Sequence, residues 1–169
     1  MREVVNVATS YQSVRMAECI LKYNEKQRNF KPLVKWYCGL TGTNKTRTAM
    51  EECDPDDVHK QDFGIKWWEG YDAHKYVVID DFRKDFCKFH ELLKLIDRYP
   101  YRVECKGGSR QMLAETMIIT SAYHPRDIYE TREDLGQLIR RIDVIKIFGD
   151  YITNGEEKSI QETSTQDVV

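Results

Sequence analysis

No apolar run in this chain approaches the length of a membrane span, and the first residues hold no signal-peptide core. The expectation is a soluble, intracellular protein with no membrane partner. Cysteine is sparse and unpaired in pattern. Cys19, Cys38, Cys53, Cys87 and Cys105 form no C-x-x-C pair and are odd in number. That excludes a regular disulfide framework and points to a reducing compartment. The four histidines (His59, His74, His90, His124) lack metal-ligand spacing with each other or with cysteine, which argues against structural zinc. An excess of charge of one sign is missing too: 26 basic residues face 28 acidic ones, for a net charge of −2. A uniformly basic nucleic-acid binder is thereby excluded, but a local basic channel is not. What is present is 169 residues, 41% of them hydrophobic and 32% charged, enough for one well-cored domain with a solvated surface.

Periodicity divides the chain into alternating elements. Residues 11–29 read as a helix, with Val14, Ala17, Ile20 and Leu21 at helical spacing and Ser10 or Ser13 as its cap. The polar run Asn24 to Arg28 and then Pro32 end it, so residues 1–31 are expected to be a helical linker or collar standing apart from the rest. Leu33 to Cys38 is a buried strand, followed by a glycine-rich loop and a helix from Lys45 to Cys53 that Asp54-Pro55 stops. Tyr76 to Ile79 is a second strand. A helix over 85–97 turns Phe86, Phe89, Leu92, Leu93 and Ile96 inward, and Pro100 ends it. Tyr101 to Cys105 and the return through Gln111-Met112 form a hairpin turned by Gly107-Gly108. Met117 to Thr120 is a third core strand, residues 133–142 a helix and Val144 to Phe148 a last strand. Strand–helix alternation predicts an α/β fold, a largely parallel sheet with flanking helices and one inserted hairpin. The main domain is expected over 32–153. The polar tail 154–169 is expected to be disordered.

Five clusters carry chemistry. A triphosphate needs backbone N–H donors around it, a lysine near its β and γ phosphates and a hydroxyl for magnesium. Gly39-Leu40-Thr41-Gly42-Thr43-Asn44-Lys45-Thr46 supplies all three, with Lys45 for the phosphates and Thr46 for the metal. Asn44 stands where the usual pattern has its second glycine, and asparagine tolerates a left-handed backbone. The strand Tyr76-Val77-Val78-Ile79 ends in Asp80-Asp81: Asp80 to hold magnesium, Asp81 to orient the attacking water. Lys106 with Gly107 at a hairpin tip suits contact with a nucleic-acid backbone, although an ordinary surface hairpin has the same composition. At the end of the third strand Ser121 lies next to Thr120, placed to sense the γ phosphate. Arg140-Arg141 offer an arginine to a neighbouring subunit's nucleotide, while cations at a helix C-terminus are also favoured by the helix dipole.

The order of these motifs resembles the superfamily 3 helicase domain of replication-initiator proteins from small circular single-stranded DNA viruses, circovirus-like ones in particular. The resemblance runs from about Val34 to Phe148. Its phrases are Trp67-Trp68-Glu69-Gly70-Tyr71, Val77 to Phe82, Asp97-Arg98-Tyr99-Pro100, Lys106-Gly107-Gly108, Ile119-Thr120-Ser121 and Leu138 to Ile142. It implies an AAA+-like P-loop core, ATP and Mg2+ as ligands, a hexameric ring, 3′-to-5′ movement on single-stranded DNA with Lys106 on the pore hairpin, and the host nucleus as the place of work. Residues before Pro32 match the family's oligomerisation collar. The family's sensor asparagine is Ala122 here, leaving Ser121 or Tyr123 to substitute, or a slower hydrolysis. The family's nicking domain, with its His-hydrophobic-His pair, has no counterpart, so the chain reads as a helicase fragment or a relative without the nickase. Two other readings stay open: a catalytically weak DNA-binding and oligomerisation module, and a small-molecule P-loop kinase, which the missing arginine-rich lid disfavours.

Overall fold

Leu33–Cys38 (β1), Tyr76–Ile79 (β3) and Thr116–Ser121 (β6) lie side by side in a computed structural model that describes residues 7, 9–62, 64–106, 108–130, 133–153 and 156–158. Val58–Gln61 (β2) and Val144–Ile147 (β7) complete a five-stranded sheet in the order β2-β3-β6-β1-β7, every pair parallel. The expected α/β class and parallel sheet are therefore present.

Side-chain alternation explains why the central strands β1, β3 and β6 are buried on both faces, while the edge strand β7 is exposed. Val34, Trp36, Cys38, Val77, Ile79, Met117 and Ile119 join one large core with Phe82, Phe89 and Leu92. The residues between them, Tyr37, Val78 and Ile118, join a smaller core with Ala49 and Cys53. Ala49 belongs to Lys45–Glu51 (α2), which follows the glycine-rich loop and covers that second face. Because the strands are parallel and in register, their C-terminal ends Cys38, Ile79, Ser121 and Ile147 meet at one rim. The chain leaves β1 toward one edge of the sheet and returns through β6 to β7 on the other side. Such a switch point opens a crevice at the strand ends, where ligands of α/β sheets bind.

Several elements differ from expectation, each for a local reason. The first helix, Tyr11–Asn24 (α1), starts as expected, with Ser10 Oγ accepting the Ser13 N–H at 3.2 Å, but stops early. Of its expected inner positions Val14 and Ala17 are half-buried, while Ile20 is exposed. The following residues are no free linker. Glu25 is held by the Gln111 N–H at 2.6 Å and by Arg110 at 2.8 Å. Arg28 is fully buried and donates to the carbonyls of Lys94, Leu95 and Tyr99. It thus satisfies orphan acceptors at the end of Phe89–Leu95 (α3). That helix is shorter than 85–97 because Glu91 accepts the Lys88 N–H at 2.9 Å and fixes its start there. The expected helix over 133–142 is only Gly136–Ile139 (α4). Asp134 accepts the Gly136 N–H at its start, and i→i+3 bonds close its end.

The hairpin is present as Arg102–Cys105 (β4) and Gly108–Gln111 (β5), antiparallel with Cys105 opposite Gly108. The tail reading needs correction at one point: Glu156–Lys158 (β9) pairs with Tyr151–Thr153 (β8), since backbone pairing holds even a polar segment. The rest of 154–169 lies outside the described residues. No helix among those described is long and apolar enough to cross a membrane.

Strand β2, Val-His-Lys-Gln, carries no strand signal because its sequence is polar. His59 is nevertheless 7% exposed, stacked on Trp68 at 5.6 Å and beside Tyr71 and His74. Burial pushes its pKa below 6.5, offset in part by its bond to Gln61. The sign follows: above pH 6.5 the ring is neutral folded or unfolded, and below it the unfolded chain takes the proton first. Stability is expected to fall as pH drops through 6.5 toward the folded value, by up to roughly 1.4 kcal/mol per unit. Urea denaturation between pH 5 and 8 checks this, and His59→Phe should flatten the slope.

Candidate nucleotide-binding site

The glycine-rich loop begins where β1 ends. Gly39 passes under the final strand region so closely that a Cβ would run into the Phe148 carbonyl oxygen. Its N–H donates to Ser121 O at 3.1 Å, and the next N–H, of Leu40, donates to Asp150 O at 2.7 Å. Gly42 turns the loop at φ 86°. Asn44 sits at φ 62°, left-handed, immediately before α2. The expectation that asparagine keeps the loop's shape in place of glycine therefore holds, because its short side chain tolerates this backbone. Lys45 folds back into the loop, donating to Leu40 O at 2.7 Å and Thr43 Oγ1 at 3.3 Å. The cradle thus closes on its own lysine. Burial lowers the Lys45 pKa, while Asp81 and Asp80 work to raise it.

The strand ends bring the other expected residues to this loop. Asp80 Oδ1 accepts the Thr46 hydroxyl at 2.6 Å and the Thr120 hydroxyl at 2.7 Å. Asp80 Oδ2 lies 2.9 Å from Lys60 Nζ. Burial works to raise this carboxyl. The bonds from Thr46, Lys60 and Thr120 outweigh it and hold Asp80 below the usual carboxylate range. Thr46 and Asp80, the hydroxyl and carboxylate assigned to a magnesium ion, already meet, so the donor set fits a hard cation. Among the described residues no cluster of three or more His, Cys, Asp or Glu offers another metal site.

Asp81 is placed differently from its neighbour. Its backbone is left-handed at φ 49° and its N–H donates to Thr120 Oγ1 at 3.0 Å. Its exposed carboxylate pairs with Arg83 at 2.6 Å. A shallow depression of about 230 Å³, lined by Asp62, Gly64, Asp81, Arg83, Asp85 and Phe86, opens beside it. Ser121 lies on the other side of the strand from Thr120. Its hydroxyl is fully buried and donates to Phe82 O at 2.7 Å, because strand alternation turns it into the large core. Thr120 faces the acid instead. Arg141 is bound to Asp97 at 2.7 Å and to Gln137 O, a clamp within one chain. Arg140 is exposed, and among the described residues it has no partner. Lys106 stands exposed at the hairpin tip, 3.7 Å from Glu69, and Gly107 lies outside the described residues.

Lys60 and Arg83 were not legible in the sequence. Lys60 reaches Asp80 only because β2 pairs in parallel with β3, and no motif marks that pairing.

The RNA helicase family matches residues 35–123, more than half of the chain and all of the region just described up to the end of β6. The chain belongs to this helicase family. Its relatives are circovirus-type replication-associated proteins. It is 41% identical over 119 residues to the replication-associated protein of Goose circovirus, covering 70% of this chain and 40% of the relative. It is 34% identical over 144 residues to that of Porcine circovirus 1, covering 83% and 45%. To that of Human associated cyclovirus 1 it is 35% identical over 123 residues, covering 69% and 43%. The chain spans less than half the length of these relatives. In this helicase domain the Asp80 carboxylate joins the loop hydroxyl of Thr46 to the strand hydroxyl of Thr120, beside the backbone bond from Gly39 to Ser121.

Thr120→Val keeps the shape but removes the donor to Asp80 and the acceptor for the Asp81 N–H. It is expected to cost about 1–3 kcal/mol in urea denaturation, with Thr120→Ser recovering most of the loss.

Proposed function

We propose that this chain is an ATP-driven motor domain of a viral replication-initiator protein, moving on single-stranded DNA during rolling-circle replication in the host nucleus. The observation that carries the reading is the joint at Asp80, where the loop hydroxyl Thr46 and the strand hydroxyl Thr120 meet one carboxylate. A phosphate loop and an acid strand linked in this way are what a nucleotide hydrolase of this family needs. The relatives' names, replication-associated protein, support the setting.

In this reading Lys45 and the amides of residues 39–46 hold the triphosphate, and Thr46 with Asp80 holds magnesium. The metal supplies charge neutralisation at the phosphates. Lys45 must leave Leu40 O to reach a phosphate, exchanging one oxygen partner for a charged one. Asp81 must release Arg83 to orient a water. The exposure of both makes that exchange inexpensive. Arg140 is the arginine offered across a subunit boundary in a hexameric ring, since Arg141 is already bound to Asp97. Lys106 and the glycine hairpin grip the DNA backbone.

Lys45→Ala should abolish ATP turnover, by 10²-fold or more given typical losses when a transition-state charge partner is removed. The assay is phosphate release with and without single-stranded DNA. Turnover equal to the parent would overturn the site. No turnover by the parent chain in either condition would favour a DNA-binding and oligomerisation module, a reading to which Ala122 at the sensor position lends weight.

A further inference from the structure

Three tryptophans occur in the chain, and two are fully buried. Trp36 donates from its ring to Tyr123 O, and Trp68 to Ile65 O. Trp67, between Lys66 and Trp68, is 57% exposed. Its backbone is left-handed at φ 61°, a conformation that bulky L residues rarely adopt and that tends to occur where function requires it. Strong local bonds hold the segment there. The Glu69 N–H donates to Trp67 O at 2.9 Å, and the Tyr71 N–H to Trp68 O at 3.2 Å. The Trp68 N–H donates to Glu104 O on β4 at 2.8 Å. That last bond docks the segment against the hairpin, two residues before its tip lysine. Glu69 then reaches Lys106 at 3.7 Å. A strained backbone thus presents a large ring to solvent two residues from Glu69, the partner of the hairpin's exposed cation.

We propose that Trp67 is a stacking platform for an unpaired base of single-stranded DNA, next to the phosphate contact of Lys106. The proposal rests on the reading of the hairpin as a nucleic-acid contact and adds a base contact to it. An indole face and a nearby ammonium match the two surfaces of a single-stranded nucleotide, its base plane and its phosphate. A duplex hides its base faces, so this contact selects unpaired strands, and it tolerates any base because each has a π face. Exposed Glu69 and Glu104 oppose loose phosphate adhesion on the same stretch. A bound phosphate replaces the weak, solvent-exposed Glu69 partner of Lys106.

The buried state of the other two indoles makes the test specific. Unlabelled oligo(dT) added to the full chain should quench tryptophan emission, and a duplex of the same length should quench far less. Trp67→Phe should remove the quench. Trp67→Gly accepts the left-handed backbone without strain, so it should fold at least as stably as the parent. It should nevertheless bind a fluorescein-labelled oligo(dT), read by anisotropy, about tenfold more weakly. Binding with unchanged emission, or Trp67→Gly binding as tightly as the parent, overturns the platform and leaves the hairpin reading standing. Emission that changes with protein concentration alone and ignores DNA assigns Trp67 to contact between copies and overturns the proposal as well. An oligonucleotide that fails to bind the parent chain at all overturns both readings.

Discussion

The carboxylate of Asp80 is the interaction on which the arrangement of this domain turns. It ends β3, and three donors from three different segments converge on it: Thr46 from the start of α2, Thr120 from β6 and Lys60 from β2. A partly buried carboxylate needs such donors, since an unpaired one would be neutralised or excluded. Meeting that need fixes the phosphate loop against the third strand and the edge strand against the acid. The register of the parallel sheet makes the convergence possible, because it brings all these strand ends to one rim.

The same rim explains why neighbouring residues have different fates. Along β6, Thr120 faces the acid while Ser121 turns into the large core and bonds Phe82 O. After β3, Asp80 is held in place while Asp81, at a left-handed turn, swings outward to Arg83. Arg140 and Arg141 divide in a similar way, one exposed and one clamped to Asp97. In the two charged pairs one residue is held by partners inside the domain and the other lies at the surface. The far side of the domain is just as tied: Glu25 and Arg28, after α1, bond to β5 and to the end of α3.

Much of this was legible in the residues themselves. β1, β3 and the hairpin were read from apolar runs and glycine punctuation, and the loop with Asp80 from motif spacing. Asn44 was read correctly because its left-handed tolerance is a property of one residue. What could not be read depends on pairing between distant segments. β2 looks polar because His59 and Gln61 are buried in a ring cluster that only tertiary contacts create. Lys60 is a site residue by strand register alone. The choice between Thr120 and Ser121 is a question of which face each occupies, and an apolar run buried on both sides gives no alternation from which to tell. The short α3 and α4 reflect bonds at their starts, from Glu91 and Asp134, that outweigh helical periodicity.

The most direct test of the central role of Asp80 is calorimetric titration of Asp80→Asn with ATP, with and without magnesium. Asparagine keeps the shape and its Oδ1 can still accept from Thr46 and Thr120; its amide cannot accept from Lys60, but Lys60 keeps Asp62 at 2.9 Å, so the variant should remain folded. Magnesium should strengthen nucleotide binding in the parent chain and lose most of that effect in the variant, with magnesium-free binding little changed. Magnesium strengthening binding equally in both proteins would contradict that role.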